Sequence, residues 1–221
     1  MRNEFESFAT REMGVNKQGL SRYARNFDCK GLGTSIIKES DSEDFETMNV
    51  FTRLMADRII FFGDEVTHDV ANIVMAQLLY LNATNSEEPI KMYINTPGGS
   101  VTAGLGIYDM MNHIEAPVYT TCTAVAASMG AVLLSSGEKG HRTATKHSRI
   151  MIHELWGGYE GKFHDIRSNA KFTETLHEDL CEILAKNTGK SIEEINEICK
   201  SDYWMRASEA LDFGLIDKIL D

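Results

Sequence analysis

Four short apolar runs punctuate the chain at near-regular spacing. They begin at Ile59 (IIFF), Ile90 (IKMYI), Val118 (VYTTCT) and Ser148 (SRIMI), at intervals of 31, 28 and 30 residues. Their length and β-branched content predict buried strands. After each of the first three the period changes to that of a helix. Val70, Ile73, Val74, Leu78 and Leu81 recur at helical spacing, predicting a helix from Thr67 to Leu81 with Thr67 as N-cap and Asp69 in its first turn. Val101 to His113 and Ser128 to Leu134 predict two more, the second stopping near Gly137. Repeated strand–turn–helix units with right-handed crossovers imply a layered α/β core.

Beyond His153 the pattern changes. Gly157, Gly158 and Gly161 beside Trp156 and Tyr159 predict an extended, flexible stretch. A long helix follows, with Ile166, Leu176, Leu180, Ile183 and Leu184 on one seam, ending at Asn187-Thr188-Gly189. Ser191-Ile192-Glu193-Glu194 has the form of a capping box for the next helix. The first 47 residues are polar and irregular, with an acidic ESDSED run at 39–44, and are expected to be a disordered or processed leader.

Composition narrows the function classes. With 221 residues, 43% of them apolar, the chain has material for a sizeable core. A formal charge of −11 without any Lys/Arg cluster argues against nucleic-acid or anionic-membrane partners. No apolar run is long enough to span a bilayer, and MRNEFESFATREMG has no secretory apolar region, so a cytoplasmic location is expected. Cys29, Cys122, Cys181 and Cys199 are scattered, without a C-x-x-C pair, and read as reduced apolar residues rather than metal ligands.

Candidate chemistry sits at three strand ends. Ser128 follows a strand from Pro117 to Thr123 and a run of small residues at 124–127, and opens an apolar helix. Unpaired N–H groups and the positive helix end converge there, which suits a nucleophile whose attack creates an oxyanion. An ordinary helix cap explains the same serine. The strand Met92 to Asn95 runs into Thr96-Pro97-Gly98-Gly99-Ser100. A Gly-Gly turn exposes N–H groups to a ligand, yet it matches neither glycine-rich phosphate-loop pattern. His153 ends the fourth strand, as a satisfied core histidine or as a general base held by a rigid element.

The segments INTPGGSVTAGLGIYDMM (94–111), AVAASMGAVLLSSGEKGHR (124–142), HSRIMIH (147–153) and SDYWMRASEALDFGLIDKIL (201–220) resemble ClpP, the self-compartmentalising serine peptidase family of the Clp system. The resemblance runs from about Met48 to the C-terminus, and the intervals from Gly99 to Ser128 (29), to His153 (25) and to Asp202 (49) agree with that family's spacing. It implies a ClpP/crotonase-like α/β spiral of ββα units with a protruding strand-plus-helix handle at about 154–187. The domain division is then a 1–33 extension open to processing, an axial-loop region at 34–47 and a peptidase domain at 48–221.

The resemblance also assigns roles. Ser128 is expected as nucleophile, His153 as base, Asp202 as its orienting carboxylate, and the N–H groups of Gly99 and Met129 as the oxyanion hole. Nothing but the resemblance singles out Asp202 among 33 acidic residues. It implies no cofactor for the peptidase, two stacked seven-membered rings of the chain itself, an AAA+ unfoldase that consumes ATP, and unfolded polypeptide as substrate. Leu79, Tyr93 and Leu220 match the family's ATPase-docking cleft.

Some positions depart from the family. Lys91, His113 and Thr143 stand where aromatic residues are frequent, which raises a divergent subunit working beside a second ClpP-type ring. Glu154-Leu155 replaces the usual Gln-Pro, and Ser201 the usual Arg. Two alternatives share the fold: a crotonase-type acyl-CoA enzyme, and a catalytically weak structural ring subunit.

Overall fold

The protein is described from a computed structural model covering residues 2–18, 35–38 and 46–221. In chain order its elements are α1 (Arg2–Arg11), β1 (Ser35–Lys38), β2 (Glu46–Asn49), α2 (Val50–Ala56), β3 (Ile59–Phe62), α3 (His68–Thr84), β4 (Ile90–Thr96), α4 (Val101–His113) and β5 (Val118–Ala127). They continue with α5 (Met129–Ser135), β6 (Arg142–Thr145), β7 (Arg149–Ile152), α6 (Phe163–Thr188), α7 (Ile192–Cys199), β8 (Tyr203–Arg206), α8 (Ala207–Phe213) and β9 (Lys218–Leu220).

The expected α/β architecture is present. The apolar runs at 59, 90, 118 and 148 form strands of one sheet ordered β3-β4-β5-β6-β9, with β7 branching from β5 and β8 from β7. All its pairings are parallel except β7 with β8. Parallel strands demand crossovers, and α3, α4 and α5 supply them after β3, β4 and β5. Phe62, Ile60, Met92, Ile94, Ile73 and Leu78 fill the layer between sheet and helices, all under 2% exposed. Thr67 caps α3 as its sequence predicts, its Oγ1 accepting from the Val70 N–H at 3.2 Å.

The branch at β5 positions the site. β5 has ten residues, twice a usual strand, so its two halves face different neighbours. Thr120 to Cys122 pair with β6, and Val125 to Ala127 pair with β7. The small residues 124–127, expected to lead into the helix, are instead strand: alanines let β7 approach. Strands β6, β8 and β9 have three or four residues, too few for a period to show in sequence.

One correction concerns the flanking segments. Residues 2–11 of the extension form α1, docked on α3 with Phe8 edge-on to Tyr80 at 5.8 Å and with Ala9 and Val15 buried. A mostly polar segment is ordered there because its few apolar residues share one contact. β1 and β2 pair antiparallel, while 19–34 and 39–45, with Cys29, the acidic run and most of the axial-loop region 34–47, lie outside the described residues. Of the apolar seam in α6 only Ile183 and Leu184 are buried, with Cys181 beside them. Ile166 is exposed, because the first two-thirds of the helix project from the body.

Helix α7 is capped by half of the expected box. Ser191 Oγ accepts from the Glu194 N–H at 3.1 Å, but the Glu194 carboxylate takes Lys190 Nζ at 2.5 Å. The Lys ammonium offers a stronger, charge-assisted donor.

A buried clamp ties the frame together. Arg142 donates to both Asp217 oxygens at 2.9 and 2.6 Å, to Ser135 O at the end of α5, and to Asn187 O near the end of α6. Burial pushes the Asp217 carboxyl upward, but hydrogen bonds from Arg142 and the Gly140 N–H outweigh it and hold the group below its usual range. A carboxylate with a lowered native pKa adds stability above its unfolded pKa, and loses it as pH falls through the native value. We expect Asp217→Asn to cost about 3–5 kcal/mol, since it strands the Arg142 charge. In urea denaturation the gap to wild type should be full above about pH 4 and shrink below it.

Candidate active site

Ser128 stands at the N-cap position of α5 with φ 55° and ψ −121°, a backbone region that non-glycine residues rarely occupy. Such a residue costs about 1–3 kcal/mol and persists only where its surroundings fix it. Here the Ser128 N–H donates to Met151 O at 2.8 Å, and the Ser128 carbonyl accepts from the Ala131 N–H at 2.9 Å. Its side chain caps nothing. The Oγ is turned instead to His153, lying 2.8 Å from Nε2. The helix-cap explanation of this serine is therefore set aside by its own hydroxyl.

Strand register delivers the other two side chains. β5 pairs with β7 so that Ala127 faces Met151, which puts His153 two residues beyond the partner of Ser128's neighbour. β7 then pairs antiparallel with β8, Ile152 opposite Tyr203, and the next step along both strands sets His153 against Asp202. His153 Nδ1 and Asp202 Oδ1 are 3.2 Å apart. With the proton on Nδ1, the imidazole donates to Asp202 and accepts from the Ser128 hydroxyl. The carboxylate is 63% exposed and the imidazole 23%, so water screens their attraction.

The Gly-Gly turn closes against the same point. Gly98 has φ 95°, and a Cβ there would fall 2.7 Å from both Ala127 O and Ser128 Cβ. Gly99 has φ 146°, and a Cβ there would lie 2.5 Å from Val66 O. Both positions need glycine for conformation and for closeness. Val66 grips the turn from outside: its N–H donates to Gly98 O at 2.8 Å and its carbonyl accepts from the Ser100 N–H at 2.7 Å. The Gly99 N–H takes no part in that pairing. It lines the same cleft as Met129, the first residue of α5.

A cavity of about 310 Å³ opens beside Ser128. Val132, Leu180 and Leu184 give it an apolar wall, with Cys181 and Cys199. Burial pushes both thiols up, Cys199 to about 12 with help from Cys181 and the Glu154 carboxylate. They stay protonated at neutral pH and do not rival Ser128 as nucleophiles. Among the described residues, no group of three His, Cys, Asp or Glu side chains is arranged to hold a metal, and no helix is long and apolar enough to cross a membrane.

A nucleophile at a strained strand–helix junction, a base and a carboxylate in line, and main-chain amides beside them can perform acyl transfer. The family profile described as Clp protease matches residues 41–221. The chain belongs to the Clp protease family. It is 44% identical over 219 residues to the ATP-dependent Clp protease proteolytic subunit of Porphyromonas gingivalis, covering 99% of this chain and 98% of that one. It is 42% identical over 218 residues to the protein of the same name from Bacteroides fragilis, with the same coverages. A third relative, proteolytic subunit 1 of Salinibacter ruber, is 41% identical over 86% of this chain and 82% of its own length. Membership in this family favours peptide hydrolysis over the acyl-CoA chemistry that the sequence left open.

Two of the expected docking residues, Tyr93 and Leu220, do not meet within one chain. Leu79 lies on α3, Tyr93 on β4 and Leu220 on β9. β5 and β6 separate the last two, a spacing of about 14 Å at ~4.8 Å per strand. Sequence reasoning missed the Val66 bracket and the Arg142–Asp217 clamp. Neither leaves a motif, because their partners are 32 and 75 residues away.

Proposed function

We propose that this chain is the proteolytic subunit of an ATP-dependent Clp protease, a serine endopeptidase acting through Ser128, His153 and Asp202. The line Ser128 Oγ–His153 Nε2 at 2.8 Å and His153 Nδ1–Asp202 Oδ1 at 3.2 Å is the observation that carries it. His153 takes the hydroxyl proton as Ser128 attacks the peptide carbonyl, and Asp202 holds the tautomer and supports the imidazolium. The N–H groups of Gly99 and Met129 receive the oxyanion. His153 then protonates the leaving amine, and water, deprotonated by the same ring, resolves the acyl-enzyme.

Among the described residues the stretch from Glu154 to Gly161 has no ladder partner, and a substrate strand pairing there would be held by main-chain hydrogen bonds that tolerate many sequences. That suits unfolded polypeptide. The peptidase step itself uses no cofactor; ATP is spent by an AAA+ partner that docks on a surface including Leu79, Tyr93 and Leu220. Since Tyr93 and Leu220 stand apart in one chain, the docking surface is completed by neighbouring copies in a ring. Two such rings stack through the projecting α6 handles, and the location is cytoplasmic. Trp156, 93% exposed, and Phe163, 73%, are the apolar surface that such contacts cover.

Labelling with a fluorophosphonate and mapping the adduct by mass spectrometry tests the peptidase reading. We expect one adduct, on Ser128, lost when His153 is replaced by Ala. A full-strength adduct that survives His153→Ala would count against activation by the imidazole. Native mass spectrometry of the same sample reads the ring stoichiometry.

A further inference from the structure

The cleft beside Ser128 has a one-sided charge that the triad chemistry does not need. Two carboxylates line it, Glu65 and Glu154, and no Lys or Arg does. Both are exposed, and among the described residues neither forms an ion pair. Both are also fixed at the backbone. The Glu154 N–H donates to Cys199 O at 2.6 Å, one residue after the base. Glu65 precedes the Val66 bracket of the Gly-Gly turn, and its carbonyl accepts from the Thr67 N–H at 2.9 Å. One acidic residue is therefore anchored next to the base in sequence and one next to the bracket of the Gly-Gly turn, both lining the cleft.

The next groove along the handle differs. Glu154 and Glu174 share it with Arg167 and Lys171, so its charges balance. Going from handle to scissile bond, a bound strand passes from a balanced surface to an acidic one.

We infer that Glu65 and Glu154 make the cleft select peptides with cationic side chains flanking the scissile bond and disfavour acidic ones. This rests on the peptidase reading of Ser128. Each exposed charge pair is worth about a 1.5- to 5-fold factor. Attraction of Lys and repulsion of Glu at two carboxylates then compound to roughly tenfold or more between the extremes. Because the charges are solvated, added salt weakens the preference.

The test uses three internally quenched peptides of one apolar core sequence, with Lys, Gln or Glu on both sides of the scissile bond. For the full chain, kcat/KM should fall in that order, about tenfold from first to last, and the spread should narrow at high ionic strength. Glu65→Gln with Glu154→Gln should bring Lys and Glu peptides to within about twofold of each other, whereas Glu154→Asp, which keeps the charge, should keep the order. The same ranking is read without turnover, from how well each peptide protects Ser128 against fluorophosphonate. Equal rates in the wild type, as when Arg167 and Lys171 neutralise Glu154, overturn the inference, and so does a spread that survives the double substitution. Failure of all three peptides together with an unlabelled Ser128 counts instead against the peptidase reading.

Discussion

Replacing Ser128 by Ala should abolish peptide hydrolysis while leaving the fold in place. The Oγ takes no part in capping α5, and its described hydrogen bond is to His153. Losing one partly exposed hydrogen bond changes stability by about 1 kcal/mol. Losing the attacking atom removes the acyl-enzyme route, for which knock-out of a triad nucleophile typically costs about 10⁶-fold in kcat. The measurement is turnover of a fluorogenic peptide, with thermal unfolding of the same preparation as control. Hydrolysis at the wild-type rate by a folded Ser128→Ala protein would falsify the triad mechanism.

Gly99→Ala should be the next most damaging single change, through the main chain. Its Cβ would sit 2.5 Å from Val66 O and 2.9 Å from Val66 N, both backbone atoms in the bracket that holds the turn. Neither can swing aside like a flexible side chain, and φ 146° is itself costly for alanine. The turn must therefore shift, and the Gly99 N–H with it. Loss of one oxyanion donor typically lowers kcat by about 10²–10³-fold. The oxyanion is absent from the bound substrate and develops on the way to the tetrahedral intermediate, so kcat should fall far more than KM rises. Steady-state kinetics read that split, and urea denaturation reads the accompanying loss of stability. A variant with unchanged kcat would show that this N–H is not used.

Much of this site was legible before any coordinates. The strand–helix junction at Ser128, the Gly98-Gly99 turn and a histidine ending an apolar strand are local features, each set by residues within a few positions. The helix bounds at Val101 and His113 were readable for the same reason: amphipathic periodicity is a local signal. Asp202 was not legible from residue chemistry. It is an exposed acid in a short connection between α7 and β8, unlike other acids until the antiparallel register sets it against His153. The resemblance pointed to it; the chain's physics did not.

The N-terminal segment shows the opposite failure. Residues 2–11 are polar and were expected to be irregular, yet they form α1 because Ala9 is buried and Phe8 meets Tyr80 on α3. Tertiary contact overrides weak local preference there. In α6 the periodicity was real, but burial begins only at Cys181, since a helical seam says which side is apolar and not whether anything covers it.

By itself the sequence determined the alternation of strands and helices, the places where backbone must turn sharply, and which side chains can do chemistry. Those follow from short-range sterics and from the period of apolar residues. Only the tertiary structure decided that β5 serves two neighbours, that Ser128 holds a positive φ with its hydroxyl free of the helix cap, and that two carboxylates share the cleft without a cation. Each of these depends on strand register and on contacts across tens of residues, and the free energy that fixes them belongs to the packed sheet rather than to any one segment.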